Sequence, residues 1–126
     1  RKYKMWGYQL RVDAARCNSN RSDNEKISLF AEDIVKQIGM TSYGDPWVVY
    51  FGKDNPSVAG FTLTQLMETS NITAHFCDYS GECYFDIWSC KPYNVQKALK
   101  CIEQWFSPAK YTYKYDERQA PQIGDD

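Results

Sequence analysis

The stretch Glu68 to Cys90 (ETSNITAHFCDYSGECYFDIWSC) carries the chain's single histidine, His75, with Ser70 five residues before it and Cys90 fifteen after it. A serine hydroxyl can attack the carbonyl that precedes it, turning the peptide bond into an ester. β-Elimination then leaves a dehydroalanine, which hydrolyses to a ketone at the head of a new chain. That route needs an acid or base beside the serine, and imidazole is the side chain whose unperturbed pKa serves best near neutrality. His75 is the one candidate of that type. The ketone would condense with a substrate amine and accept the electrons released as carbon dioxide leaves, the sink role that pyridoxal phosphate plays elsewhere. A proton must then return to the carbanion.

Ser70-Asn71-Ile72-Thr73-Ala74-His75 and Asp86-Ile87-Trp88-Ser89-Cys90 each alternate apolar and small polar residues, as strands do, with Ser80-Gly81 as a turn between them. Ser70, His75 and Cys90 therefore lie on or beside two neighbouring strands. Ser70 and His75 are an odd number of residues apart, so they point oppositely on a regular strand. Their cooperation requires a bulge or a strand break near Ser70. Taken singly, each residue has a plain structural reading: a serine in a turn, a histidine satisfied on a strand, a cysteine acting as a small apolar filler. Their joint spacing is what favours chemistry.

Ser70, the histidine five positions on, and the run Asp86-Ile87-Trp88-Ser89-Cys90 after a hairpin together resemble the prokaryotic-type S-adenosylmethionine decarboxylase family, as a divergent member. The resemblance implies a proenzyme that cleaves itself between Thr69 and Ser70, giving chains 1–69 and 70–126 and a pyruvoyl cofactor derived from Ser70. It assigns proton donation to Cys90, whose thiol has a reference pKa of about 8.5, and assistance in processing to His75. It further implies a role in polyamine biosynthesis and a two-layer protomer that pairs into a homodimer. Two departures stand out: Thr69 replaces the family's glutamate, with Glu68 one residue earlier, and Phe76-Cys77-Asp78-Tyr79 replaces its threonine, tryptophan, proline and glutamate. Glu68 and Asp86 are possible supporting carboxylates. Because the changed positions help to form the family's substrate pocket, arginine or ornithine is an alternative substrate on the same scaffold. A non-catalytic, unprocessed homologue that binds a ligand or regulates an active paralogue is the alternative of a different class.

At 126 residues the chain fits one domain, expected over 1–115, with 116–126 as a polar flexible tail. Fifteen basic against sixteen acidic residues give no basic patch for nucleic acid, and no long apolar run suggests a membrane. Five cysteines at irregular spacing suggest neither a disulfide framework nor a metal site, so a reducing, cytoplasmic location is expected.

The elements that position the candidate residues follow from periodicity. Met5 to Ala14 alternates as an opening strand, and Ser22 with Glu25 resembles a capping box for a helix whose apolar face runs from Ile27 to Ile38. Trp47–Phe51 and Gly60–Met67 read as strands. Asn94 opens a second helix through Val95, Ala98, Leu99, Ile102 and Trp105, stopped by Pro108, and Lys110–Tyr115 alternates as an edge strand. The order β-α-β-β-β-β-α-β predicts an α+β fold, a two-layer α/β sandwich with a mainly antiparallel sheet of about six strands and both helices on one face. The uncovered sheet face then wants a partner.

Overall fold

The computed structural model describes residues 3–124. Its elements follow the expected order: β1 (Gly7–Ala15), α1 (Asn24–Gln37), β2 (Trp47–Phe51), β3 (Gly60–Met67), β4 (Ser70–Phe76), β5 (Cys83–Ser89), α2 (Val95–Phe106) and β6 (Lys110–Arg118). The strands make one antiparallel sheet in the order β2-β3-β4-β5-β1-β6. The opening strand thus lies between the candidate strand β5 and the closing edge strand. This is the expected α+β sandwich.

Alternation sorts the sheet's side chains. Leu10, Val12, Leu63, Ile72, Phe85 and Ile87 pack with Ile27, Phe30 and Ile34 of α1 and with Leu99, Ile102 and Phe106 of α2 in one core. Phe30, Phe76, Phe85 and Phe106 form an aromatic cluster with centroids 4.9 to 5.7 Å apart. Each such buried ring contributes about 1.5–3 kcal/mol. The residues between them, among them Thr62, Thr64, Asn71, Thr73, His75 and Trp88, lie on the face that no helix covers.

Three local expectations need correction. The cap of α1 is Asp23, whose carboxylate accepts from Lys26 N at 3.1 Å, while Ser22 donates instead to Asp78 Oδ1 at 2.6 Å. A 3-10 turn over Ser19–Ser22, anchored by Arg21 to the carbonyls of Cys77 and Asp78, occupies the position of the supposed cap. Second, β1 begins at Gly7 rather than Met5, and the Trp88 ring lies so close over Gly7 that a Cβ there would meet it at 2.1 Å. Third, β6 continues past Tyr115 to Arg118, so the segment from Asp116 does not leave the sheet where the polar composition suggested. Backbone pairing of Gly7–Gln9 with Asp116–Arg118 needs no apolar side chains, and an edge strand tolerates charge.

The helices are tied together and to the sheet by polar contacts. Asp33 of α1 accepts the Trp105 indole N–H of α2 at 2.8 Å, and Asn94 caps α2 by accepting from Lys97 N at 3.0 Å. Tyr93 accepts from Leu10 N at 2.9 Å and donates to the Ile87 carbonyl at 2.6 Å, pinning the start of α2 to β1 and β5.

Candidate active site

The β3–β4 hairpin pairs Met67 with Ser70, leaving Glu68 and Thr69 at its tip. Thr69 adopts φ 57°, in the left-handed region. For a β-branched residue that conformation costs about 1–3 kcal/mol, which the surroundings must hold in place. Glu68 N donates to the Thr41 carbonyl at 3.2 Å, and the Ser42–Met67 bridge fixes the base of the turn. The strained residue is the one that supplies the carbonyl preceding Ser70.

Ser70 is 7% exposed and shares a 2.8 Å hydrogen bond with the hydroxyl of Ser89, which is fully buried. Register explains the contact, because Ser70 and Ser89 are direct cross-strand partners. Cys90 follows Ser89, and its thiol donates to Thr69 Oγ1 at 2.7 Å. Thr69 Oγ1 in turn donates to the Glu68 carbonyl at 2.6 Å. Thr69, Ser70, Ser89 and Cys90 therefore meet at one corner of the sheet. Among the other cysteines, Cys83 is pushed well up by its contact with Cys17 and by burial, and burial lifts Cys101 to about 12. Those two are protonated core residues.

His75 is not part of that corner within the chain. The pairing of β4 with β3 and β5 runs unbroken from Ser70 through His75, so the break lies at Thr69, outside the interval where it could change parity. His75 therefore faces the uncovered side while Ser70 faces the helices. Five residues of strand also separate them by about 17 Å. The His75 Nδ1 has the Thr62 hydroxyl at 3.3 Å, a directly paired neighbour on β3. Glu68 is exposed at the hairpin tip, and Asp86 lies on the uncovered face of β5 between Thr73 and Arg11 in register.

The altered residues after His75 divide between core and surface, with Tyr79 exposed. Phe76 belongs to the core, and Asp78 accepts from both Ser22 and the Tyr50 hydroxyl, the latter at 2.7 Å. Two hollows are lined by residues outside that corner. One of about 520 Å³ is lined by Trp6, Trp88, Arg118 and the segment Gln119–Pro121, with the Arg118 guanidinium 5.2 Å above the Trp88 ring. The other, about 150 Å³, is formed by Trp47, Val49, Phe51, Thr62 and Thr64 on the uncovered face.

A family model described as S-adenosylmethionine decarboxylase matches residues 8–119. This chain belongs to the S-adenosylmethionine decarboxylase family. The crystal structure of the adenosylmethionine decarboxylase from Aquifex aeolicus VF5 superposes with a TM-score of 0.77 at 20% identity, covering 98% of this chain and 99% of that one. At that identity the likeness establishes the fold. No curated protein matches the chain. Members of the S-adenosylmethionine decarboxylase family share a decarboxylase scaffold. In this chain the pairing of β4 with β5 sets Ser70 opposite Ser89, the residue before Cys90. Among the described residues no helix is long and apolar enough to cross a membrane.

Two polar partners of the candidate residues were not singled out from sequence. Ser89 stood inside the recognised Asp86–Cys90 run, but its contact with Ser70 depends on register. Thr62 carried no signal beyond strand alternation.

Proposed function

We propose that this chain is a pyruvoyl-dependent decarboxylase of S-adenosylmethionine, serving polyamine biosynthesis, that matures by cutting its own Thr69–Ser70 bond. Ser70 Oγ attacks the Thr69 carbonyl carbon; the C–N bond breaks as the C–O bond forms, and the hydroxyl proton passes to the Ser70 nitrogen. Loss of the Ser70 Cα proton then expels the Thr69 carboxylate from Cβ, and water replaces the resulting imine nitrogen, which departs as ammonia. The observation that carries this reading is the corner itself: a left-handed Thr69, a Ser70 hydroxyl held by Ser89, and a thiol on Thr69 Oγ1. Strain at Thr69 raises the uncleaved state relative to an opened bond.

The residues present fit the group that Ser70 would become. When formed, a pyruvoyl group supplies an electron sink for decarboxylation. The Cys90 thiol, at the cleavage corner, is the proton donor to a substrate carbon. Trp6 and Trp88 offer indole faces in the hollow of about 520 Å³, and flat apolar surfaces of that kind suit a purine ring. Arg118 over Trp88 holds that indole in place.

The imidazole comes from a second copy. Its own chain leaves His75 on the uncovered face, beside Thr62 and the hollow rimmed by Trp47 and Phe51, which are 71% and 57% exposed. An apolar rim of that kind marks an interaction surface. A homodimer packed across this face covers the rings and carries each His75 toward the opposite hairpin. The irregular spacing of the five cysteines, which suits no disulfide framework, favours a cytoplasmic, reducing setting.

A second reading, a non-catalytic homologue, is favoured by the separation of His75 from Ser70 within one chain. Release of labelled carbon dioxide from S-adenosylmethionine, arginine and ornithine decides between them. The proposal expects release from S-adenosylmethionine, abolished by Ser70→Ala. Release from arginine or ornithine alone reassigns the substrate, and binding of S-adenosylmethionine by calorimetry without release from any of the three establishes the second reading.

A further inference from the structure

We infer that Ser89 is a positioning residue for self-processing, holding the Ser70 hydroxyl with its proton turned into the core and its lone pairs free to meet the Thr69 carbonyl. The inference rests on the processing reading above. Free serine side chains distribute among three staggered wells. Here the 2.8 Å bond between two buried hydroxyls selects one of them, and the cross-strand pairing of Ser70 with Ser89 fixes both backbones.

The remaining partners of Ser89 decide what it can do. Its oxygen also accepts from Lys91 N at 3.1 Å, and its own proton points to the Met40 thioether, 3.8 Å away. A thioether is a weak acceptor and no base. The chain of donors from Ser70 through Ser89 therefore ends at a group that cannot remove a proton. Ser89 orients the nucleophile, and deprotonation must come from elsewhere. The same Lys91 contact shapes the backbone on both sides of Cys90, so one hydroxyl organises both the nucleophile and the thiol at the corner.

Two variants of equal shape test this: Ser89→Thr keeps a hydroxyl and Ser89→Val lacks one. Folding of each is checked by circular dichroism, and the time course of cleavage is followed by intact mass. Positioning predicts that Ser89→Thr cleaves within a few-fold of the wild-type rate while Ser89→Val slows by roughly tenfold to a hundredfold. Hydroxylamine, which captures the ester, should release fragments more slowly from Ser89→Val as well, placing the defect before elimination. If both variants slow equally, packing rather than the hydroxyl is responsible and the inference is overturned. Should Ser89→Val fail to fold, Ser89→Ala takes its place against the same Thr variant. Wild type that cleaves alongside an equally fast Val or Ala variant overturns the role of Ser89 and leaves the processing of Ser70 standing. Wild type that never cleaves removes the processing reading itself, and the role of Ser89 with it.

Discussion

At the scale of single residues, the hairpin tip separates two jobs that adjoining side chains perform. Thr69 holds the carbonyl of the proposed scissile bond in a left-handed turn, and the Cys90 thiol donates to the Thr69 side-chain hydroxyl. These jobs should be separable by mutation. Cys90→Ala is expected to leave cleavage at Thr69–Ser70 in place while carbon dioxide release falls by about 10²–10⁴-fold, the usual contribution of a positioned proton donor. Comparing fragment formation with turnover in the same preparation checks this; a variant that loses both equally would make Cys90 structural. Strain at Thr69 has its own signature. In a Ser70→Ala background, where no cleavage interferes, Thr69→Gly should raise the unfolding free energy in urea by about 1 kcal/mol, because glycine adopts positive φ freely. An unchanged or lower stability would mean that the turn is relaxed.

At the scale of elements, the helix layer depends on a few polar clasps as well as on its apolar faces. The Trp105 indole N–H is the main cause holding the Asp33 carboxyl below its usual value, with Gln37 and Cys101 adding to it. A depressed folded pKa means that this contribution is present above the unfolded value of about 4 and is lost as pH falls through the folded one. Asp33→Asn should therefore be less stable than wild type near neutrality by about 1 kcal/mol and should flatten the acid limb of the stability curve below about pH 4. Thermal melts across pH read both effects. Tyr93 is the matching clasp on the sheet side, with burial pushing its phenol up. Most of this layer was legible in the sequence. Helical spacing from Ile27 to Ile38 and from Val95 to Trp105 gave both helices, and period-two alternation gave the strands. What escaped were ends decided by tertiary contacts: Ser22 is drawn to Asp78 across the fold, and β6 is prolonged by the backbone of Gly7–Gln9.

At the scale of the whole molecule, the residues singled out from sequence are divided between a corner of the sheet and its uncovered face. The spacing of Ser70, His75 and Cys90 put them on or beside the two strands where they lie, and the odd interval already warned that serine and imidazole face opposite ways. Cross-strand neighbours such as Ser89 and Thr62 follow from register, which alternation alone leaves open. The face bearing His75 also carries Trp47 and Phe51, the surface that the proposed homodimer would cover. Trp47→Asp with Phe51→Asp should convert a dimer to a monomer in sedimentation while preserving the far-ultraviolet spectrum, and cleavage should fall with it. Mixed dimers sharpen the point: His75→Ala and Ser70→Ala chains, each inert alone, should yield cleavage of the His75→Ala chain when refolded together. Persistent inertness of the mixture would place the imidazole's work within one chain or nowhere. The most direct measurement is the intact mass of the freshly purified protein and of the same sample after prolonged incubation. Self-processing gives two fragments, 1–69 ending in a free Thr69 carboxylate and 70–126 beginning with a pyruvoyl group in place of serine; a single unbroken mass that persists overturns it.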